Sequence, residues 1–201
     1  MAPDAAVTIT PGEDTELMHR VQAGDEAALG TLMQRWELPV KAVIARLVMN
    51  ASEAEELAQE AFVRIWQQRH TFKRGAAFRP WVFSIAVNLA RNRLRWWRRR
   101  PTVSLQEWSD ASASGSAGEP VAAGRDGVSS ADTLERTERA AAVRDAIAVL
   151  PVDLREAIVL FEYEQLSHAE IALAVGATSK AVETRIHRAR EKLRVTLKRW
   201  V

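Results

Sequence analysis

Apolar residues recur every three or four positions along most of the chain, which is the spacing expected of helices that each bury one face. In the first hundred residues, this spacing and the turns that interrupt it predict four helices, at about 14–22, 25–49, 53–69 and 79–99. Pro39 lies inside the second helix and is expected to kink or split it, because proline donates no backbone hydrogen bond. Ser52 and Glu55 have the spacing of a capping box, which predicts the start of the third helix.

A second run of helical spacing begins near residue 138. It predicts one helix at about 138–149 and another at about 152–164, separated at Leu150-Pro151. The two halves of the chain therefore each have a helical pattern of their own.

The segment that follows has the order of a DNA-binding motif. Ser167 and Glu170 form a second capping-box pattern at the start of a short helix, and Gly176 favours a turn after it. Thr178 has the side chain of an N-cap for a basic helix that continues to about residue 199. A short helix, a glycine turn and a longer basic helix are typical of the helix-turn-helix motif.

Residues 109–131 separate the two sets of helices. They are rich in serine, glycine, alanine and aspartate and show no apolar periodicity, so they cannot bury enough surface to offset the entropy of ordering. The chain is therefore predicted to be all-α, with two small helical domains joined by a flexible linker. The predicted boundaries are a flexible N-terminus at 1–13, a first domain at 14–100, a linker at 101–137 and a second domain at 138–201.

Charge is sorted along the chain rather than mixed. Residues 1–66 hold 5 basic and 11 acidic side chains, whereas residues 67–100 hold 10 basic and no acidic side chains. An acidic block followed by a basic block indicates two different partners. The predicted third helix carries much of the acid, on a face formed by Glu53, Glu55, Glu56, Gln59 and Glu60. Two interpretations stay open: a solvated face with acids near a helix N-terminus, or a docking surface for a basic partner.

The sequence gives no sign of catalysis. Cysteine is absent, the four histidines are scattered, and the motifs of phosphate loops, dinucleotide sites and zinc proteases do not occur. We therefore expect no enzyme activity, no catalytic residue, no metal site and no cofactor. No window approaches eighteen uninterrupted apolar residues, and the N-terminal segment lacks the order of a signal peptide, which favours a cytoplasmic protein without membrane insertion.

The basic block ends in RNRLRWWRRR, residues 91–100, where six arginines surround Trp96 and Trp97. So many arginines on one helix indicate a surface that neutralises several phosphates, and the planar guanidinium binds phosphate oxygens in pairs. Phe72 and Phe78 lie at the ends of the upstream loop FKRGAAF and are the aromatic residues expected to be exposed, where they would stack on bases of single-stranded nucleic acid. Trp81 has helical spacing and is expected in the core.

The last helix is expected to read duplex DNA. Val182, Ile186, Ala189 and Leu193 keep the spacing of a buried face, which directs the basic residues outward. The N-terminal part of such a helix enters the major groove, and later arginines either contact phosphates or solvate the helix. The candidates for base contacts are Lys180, Glu183, Thr184, His187 and Arg188.

These segments together resemble bacterial sigma factors of the extracytoplasmic-function group within the sigma-70 family. The similar segments are LAQEAFVRIW (57–66), FRPWVFSIAVN (78–88) with its arginine-rich continuation, LPVDLREAIVL (150–160) and LSHAEIALAVGATSKAVETRIHRAREKLR (166–194). The resemblance implies a sigma-2-like helical bundle, a sigma-4-like helix-turn-helix domain, binding to core RNA polymerase and a role in a stress response.

For the first domain, the resemblance implies two functions. The helix at 53–68 docks on a coiled coil in the clamp of the largest polymerase subunit, and Gln59 and Glu60 match the Gln-Glu pair of the family. The polymerase-binding residues implied are Glu55, Glu56, Gln59 and Glu60.

The segment at 72–100 recognises and melts the minus-ten promoter element, and its loop captures a flipped base. The minus-ten residues implied are Phe72, Lys73, Arg74, Phe78, Asn88, Arg91, Asn92, Arg95, Arg98 and Arg99. Gly75, Ala76 and Asn92 depart from the common pattern, so the family's base preference does not transfer.

For the second domain, the resemblance implies recognition of the minus-thirty-five element and contact with the flap of the second-largest polymerase subunit. The minus-thirty-five residues implied are Thr178, Lys180, Glu183, Thr184, Arg185, His187, Arg188 and Arg190. The resemblance also implies an anti-sigma factor that covers the polymerase-binding surfaces.

Two other classes were weighed. A helix-turn-helix regulator that binds duplex DNA without joining polymerase would not need the acidic helix or the aromatic-bearing basic block. A membrane-surface helix is disfavoured because Trp96 and Trp97 are adjacent rather than on one apolar stripe.

Overall fold

The structure of the protein is a computed structural model that describes residues 11–100 and 130–200. All regular secondary structure in these residues is helical, which confirms the predicted all-α class. Four helices precede the gap: α1 (Pro11–Gln22), α2 (Glu26–Val48), α3 (Ala51–Gln68) and α4 (Phe78–Arg99). Four follow it: α5 (Ser130–Ala148), α6 (Val152–Glu162), α7 (His168–Val175) and α8 (Ser179–Thr196). Within the described residues, no helix is both long and apolar enough to cross a membrane.

Helical structure begins earlier than predicted at two places, after the predicted flexible N-terminus (1–13) and after the predicted linker (101–137). Helix α1 begins at Pro11 rather than near 14, because proline is preorganised for the first turn of a helix. Helix α5 begins at Ser130 rather than near 138. Glu135 and Arg139 form an ion pair of 3.0 Å one turn apart there, so this stretch is helical without the apolar spacing used for the prediction. The rest of both predicted segments, residues 1–10 and 101–129, lies outside the described residues.

Helix α2 continues through Pro39, so the expected split at this residue is wrong. Trp36, Val40 and Val43, on either side of the proline, are fully or almost fully buried. Packing of this continuous buried face against α3 and α4 offsets the backbone hydrogen bond that proline cannot donate.

The N-cap of α3 is Asn50, and the predicted capping box at Ser52 and Glu55 is wrong. The Asn50 side-chain oxygen accepts a hydrogen bond of 3.0 Å from the Glu53 backbone N–H. Ser52 lies exposed within the first turn, and the Glu55 carboxylate pairs with Lys41 of α2 instead. Asparagine and serine are equally good caps, so their side chains alone do not decide between the two positions, and the helix begins after Asn50.

The caps of the helix-turn-helix segment are as predicted. Ser167 accepts a bond of 3.3 Å from the Glu170 backbone N–H, and the Glu170 carboxylate accepts one of 2.9 Å from the Ser167 N–H. Gly176 ends α7 with a φ of 70°, a left-handed conformation that suits glycine. Thr178 caps α8 by accepting a bond of 3.2 Å from the Ala181 N–H.

The first four helices surround a group of aromatic side chains. The Trp36 ring lies 5.5 Å from Phe78 and 5.7 Å from Phe83, both at steep interplanar angles that favour edge-to-face contact. The Trp36 indole N–H donates a bond of 3.0 Å to the buried carboxylate of Asp14. This bond fastens α1 to α2, which in turn packs on α3 and α4.

The two sets of helices pack on one another, with α2 and α4 against α6 and α7. The buried guanidinium of Arg155, on α6, donates to the carbonyl oxygens of Leu47 at 2.7 Å and Leu150 at 3.1 Å, and to that of Ala148. Leu47 and Ala148 lie in the last turns of α2 and α5, where unpaired carbonyls attract a cation. Burial lowers the pKa of Arg155 from its ordinary value. The division into two domains with separate functions stays a prediction.

The position of the α3 cap gives a direct test. Replacement of Asn50 by alanine (Asn50→Ala) should lower the free energy of unfolding by about 1 kcal/mol, because the Glu53 N–H loses its acceptor. Replacement of Ser52 by alanine (Ser52→Ala) is the matched control and should change it by less than about 0.5 kcal/mol. Urea unfolding followed by circular dichroism measures both. The reverse order of effects would place the cap at Ser52.

Candidate functional site

An apolar groove with acidic edges lies between α2 and α3 and has a volume of about 500 Å³. Met33 and Val63 are exposed on it, whereas Ala58 and Phe62 form a buried floor. We call it the acidic groove. Its lining residues are Glu26, Leu29, Met33, Glu37, Glu55, Ala58, Gln59, Phe62, Val63 and Trp66. A groove of this composition suits the apolar stripe of a helical partner whose flanks are basic.

The four predicted polymerase-binding residues lie on two sides of α3. Glu55 and Gln59 line the acidic groove. Glu60 faces the other side, where its carboxylate accepts bonds of 2.9 and 2.6 Å from Arg64. Glu56 is exposed, with its carboxylate 3.9 Å from the Arg93 guanidinium of α4. The structure therefore brings only half of this set together in the groove.

Helix α2 supplies the part of the acidic groove that sequence analysis missed. Glu26, Met33 and Glu37 lie along its exposed face and line the groove opposite α3. The available signal was Met33, a large apolar residue outside the buried stripe of its helix. Without knowledge of how α2 and α3 pack, that residue could not be assigned to a shared surface.

The expectation that Phe72 and Phe78 are exposed is wrong. Phe72 is 2% exposed and Phe78 is 1% exposed. The Phe72 ring lies 5.2 Å from that of Trp81 and 6.4 Å from that of Phe78, and Trp36 packs beside them. Large aromatic side chains at both ends of a short loop gain more from burial in this cluster than from exposure. Trp81 is half-buried against the same core, as expected.

The residues between these phenylalanines form an exposed turn, and we call residues 73–77 the basic loop. The Ala76 N–H donates a bond of 3.0 Å to the Lys73 carbonyl, and Gly75 has a φ of 79°, which a type II turn requires at that position. Lys73 and Arg74 are exposed on it. The surface that the loop offers to a ligand is therefore basic side chains and backbone, without a phenyl ring.

The arginines of α4 have different partners. Arg93 pairs with Glu53 of α3, and Arg91 pairs with Glu156 of α6. Arg95 donates to Asn92 on the same helix and stays exposed. The predicted minus-ten residues of α4 that remain exposed are Asn88, Asn92, Arg95, Arg98 and Arg99. Only part of the arginine cluster is therefore available to a phosphate backbone in this arrangement.

The pair between Arg91 and Glu156 is the best-defined ionic contact between the two sets of helices. Two guanidinium nitrogens of Arg91 donate to the two carboxylate oxygens of Glu156, at 2.6 and 2.5 Å. One of them also donates to the Val175 carbonyl at 3.1 Å. The Glu156 side chain is 1% exposed, and its hydrogen bonds raise the pKa of Arg91. A predicted DNA contact is thus held by a buried carboxylate.

Helix α8 presents one exposed polar face, with Lys180, Glu183, Thr184, His187 and Arg188 on it. The Lys180 ammonium donates a bond of 2.9 Å to Glu183, and this contact lowers the pKa of that glutamate. The side chains predicted to contact bases are therefore all exposed on one face of α8.

Three further residues predicted at the minus-thirty-five element have structural contacts instead. Arg185 faces Asp153 of α6 at 3.6 Å, and Arg190 donates to Glu162 at 3.1 and 2.7 Å while its guanidinium lies over the Phe161 ring. Thr178 is occupied as the N-cap. No group of side chains with metal-binding geometry occurs within residues 11–100 and 130–200.

Comparison with protein families gives two matches. The model for Sigma-70 region 2 matches residues 32–100, and the model for Sigma-70, region 4 matches residues 140–193. The first match contains the basic loop, α4 and all lining residues of the acidic groove except Glu26 and Leu29. The second contains the buried Arg155 and Glu156 and the exposed face of α8.

Curated relatives match over nearly their whole length. The RNA polymerase sigma-H factor of Pseudomonas aeruginosa is 36% identical over 185 residues, which cover 92% of this chain and 94% of that protein. The ECF RNA polymerase sigma-E factor of Escherichia coli (strain K12) is 34% identical over 181 residues, which cover 90% and 92%.

Two solved structures are similar in fold. CnrH in complex with the cytosolic domain of CnrY has a TM-score of 0.64 and 25% identity, and the match covers 92% of this chain and 97% of that chain. The sigma factor RpoE in complex with the anti-sigma factor NepR from Bartonella quintana has a TM-score of 0.59 and 21% identity, and the match covers 84% and 96%. The second likeness is one of fold alone.

Loss of the buried carboxylate of Glu156 should lower the free energy of unfolding more than loss of an exposed carboxylate in a similar ion pair. Its replacement by glutamine (Glu156→Gln) should lower the free energy of unfolding by about 2–3 kcal/mol, because Arg91 loses a charged acceptor in a buried site. Glu162→Gln, in the exposed pair with Arg190, is the control and should cost less than about 1 kcal/mol. Denaturant unfolding measures both. Equal effects would contradict the burial of the Arg91 pair.

Proposed function

Because the chain belongs to the extracytoplasmic-function group of the sigma-70 family and is a transcription initiation factor of that family, we propose that it acts through three separate surfaces. The acidic groove binds core RNA polymerase, the basic loop with α4 engages and opens the minus-ten element, and α8 reads the minus-thirty-five element. The observation that carries this proposal is the acidic groove, because it offers a basic partner a docking surface that is separate from both proposed DNA-binding surfaces.

The composition of the acidic groove supports docking of the polymerase clamp. An exposed apolar strip between Glu26, Glu37 and Glu55 offers burial to the apolar residues of a coiled coil and ion pairs to its basic flanks. Gln59 adds a hydrogen-bonding group at the centre. The proposed contact includes both α2 and α3, so it is broader than the Gln59-Glu60 pair that the resemblance implies.

The proposal assigns capture of an unpaired base to the basic loop. Since Phe72 and Phe78 are buried, Lys73, Arg74 and the loop backbone are the groups that receive the strand, and Asn88 lies exposed on the neighbouring helix. Extraction of a base from the duplex costs a few kcal/mol in stacking. Exposed Arg95, Arg98 and Arg99 offset part of that cost by binding the phosphates beside it.

A contact of Arg91 with a phosphate through Nε and Nη2 requires a change of partner. The same two guanidinium nitrogens cannot hold the Glu156 carboxylate and a phosphate at once. The proposal therefore includes separation of α4 from α6 and α7 when polymerase and promoter bind. Arg91 then becomes one more phosphate contact beside those already exposed on α4.

The proposed minus-thirty-five contacts are five of the exposed residues of α8, namely Lys180, Glu183, Thr184, His187 and Arg188. Lys180 and Arg188 suit the acceptors on guanine, Glu183 suits the amino group of cytosine, and Thr184 and His187 add further hydrogen bonds. Arg185 and Arg190 are proposed to hold α8 against α6 through Asp153 and Glu162 rather than to contact DNA.

The partners follow from these surfaces. They are core RNA polymerase, at the clamp of its largest subunit and the flap of its second-largest subunit, and promoter DNA in duplex and melted form. The proposal includes control by an anti-sigma factor, which the family resemblance implies; CnrH, which is 25% identical to this chain, was solved in complex with the cytosolic domain of CnrY. This set of partners places the protein in the bacterial cytoplasm, and its proposed role needs no catalysis of its own.

Run-off transcription tests the proposed function. Core RNA polymerase with this protein, on fragments of the host genome, should start transcripts that core polymerase alone does not start. The mapped starts should share two upstream elements. If no transcript start depends on the protein although it binds duplex DNA in a salt-sensitive way, the sigma-factor function is wrong. The protein would then be a helix-turn-helix regulator that does not join polymerase.

The acidic groove has its own test. Replacement of Val63 by lysine (Val63→Lys) should weaken binding to core polymerase at least about tenfold, because it places a positive charge where a basic partner docks and disrupts the apolar strip. Val149→Lys is the matched control, since Val149 is also exposed but lies in the turn after α5, outside the groove. Fluorescence anisotropy of the labelled full chain gives both affinities. Equal affinities for the two variants would contradict docking at this groove.

A further inference from the structure

Gln22, the last residue of α1, joins that helix to the chain that precedes the basic loop. Its side-chain amide donates one hydrogen bond to the Arg69 carbonyl at 2.9 Å and another to the Phe72 carbonyl at 2.7 Å. A glutamine amide has two donor hydrogens, so both are committed to backbone that lies 47 and 50 residues further along the chain. These bonds have no part in any surface described above.

The two acceptor carbonyls lie at the base of the basic loop. They bracket the 3-10 turn at Arg69–Thr71, and Phe72 is the last buried residue before the exposed turn. The Phe72 side chain is held by the aromatic core, with His19 of α1 at 6.0 Å and Trp81 of α4 at 5.2 Å. Gln22 holds the carbonyl of the same residue, so the Phe72 peptide is fixed from both sides.

Gln22 lies at a helix end that is itself fixed by packing. Met18 and Val21, in the same last turns of α1, are fully buried. The turn into α2 is closed by Gly24 with a φ of 95° and by an ion pair of 2.7 Å between Arg20 and Asp25. Gln22 therefore connects the fixed end of α1 to residues 69 and 72, which directly precede the exposed basic loop. Because the helix end is fixed and the loop is exposed, the helix positions the loop.

We propose that Gln22 is a positioning residue for promoter opening, which sets the place of the basic loop by holding the Arg69 and Phe72 carbonyls. This inference rests on the proposed function, in which the loop receives the unpaired base. Without the two bonds the loop can occupy more conformations, and capture of the base must then order it. The cost falls on the opening step, because Gln22 holds backbone carbonyls at the base of the basic loop. The acidic groove touches this segment only through the Arg69 side chain, which packs on Trp66 and makes no bond to Gln22.

Replacement of Gln22 by methionine (Gln22→Met) tests this inference, because methionine has a similar length and no donor. Gln34→Met, at an exposed glutamine of α2, is the matched control. The first measurement is hydrogen exchange of the basic loop in the free full chain, including the Ala76 N–H. The second is permanganate reactivity of unpaired thymines at a promoter identified by the mapped starts. Thermal unfolding and affinity for core polymerase are measured alongside.

The expected result for Gln22→Met is faster exchange in the basic loop and about tenfold less promoter opening, the effect of losing about two ordinary hydrogen bonds. Polymerase affinity should stay within about twofold of the wild type, a difference of less than 0.5 kcal/mol. Gln34→Met should match the wild type in all four measurements.

Three results would overturn the inference. Unchanged exchange in the basic loop would show that Gln22 does not hold it. Faster exchange with normal opening would show that the position of the loop does not matter. A parallel loss of thermal stability, polymerase affinity and opening would assign Gln22 a purely structural role. If the wild type opens promoters and Gln22→Met does so equally well, this inference alone fails. If the wild type opens none, the proposed function fails with it.

Discussion

Two adjacent residues of opposite charge, Arg155 and Glu156, hold the two sets of helices together. Arg155 reaches the end of α2 and the turn after α5, and Glu156 reaches Arg91 on α4. Both side chains are buried, so each needs hydrogen-bond partners in place of the water it loses. Carbonyls at or just after helix ends accept bonds from the two terminal nitrogens of Arg155, and the Arg91 guanidinium donates two bonds to Glu156. The relative placement of α4 and α6 depends on this arrangement.

This constraint explains how α4 can contain so many arginines. Helix α4 has no acidic residue of its own, and a surface of six free arginines would repel itself. Glu156 forms an ion pair with Arg91 on one side of the helix, and Glu53 forms one with Arg93 on the other. The remaining charge lies near the C-terminus of the helix, where cations are stabilised by the helix dipole. The cluster is therefore divided by its neighbours into structural arginines and exposed ones.

The sequence predicted the helices well because their apolar spacing is a local property. It failed where two local signals competed or where a partner was distant in the chain. Asn50 and Ser52 are both good caps, and nothing local ranks them. Glu156 follows Arg155 in LREAIVL, but its ion-pair partner is Arg91, 65 residues earlier. The acidic groove needs α2 as well as α3, so no single segment predicted its extent. Phe72 and Phe78 were misplaced because their core neighbours come from other helices.

The placement of Arg91 also bears on how the protein would be controlled. A partner can shift an equilibrium between packed and separated helices only by the difference in its affinity for the two arrangements. In the proposed function promoter DNA favours separation, because phosphates and the Glu156 carboxylate would compete for one guanidinium. When the helices separate, Glu156 gains water as it loses Arg91, so the net cost is smaller than that of leaving the carboxylate buried and alone. A protein that binds the packed arrangement would therefore oppose DNA binding without touching the exposed arginines of α4.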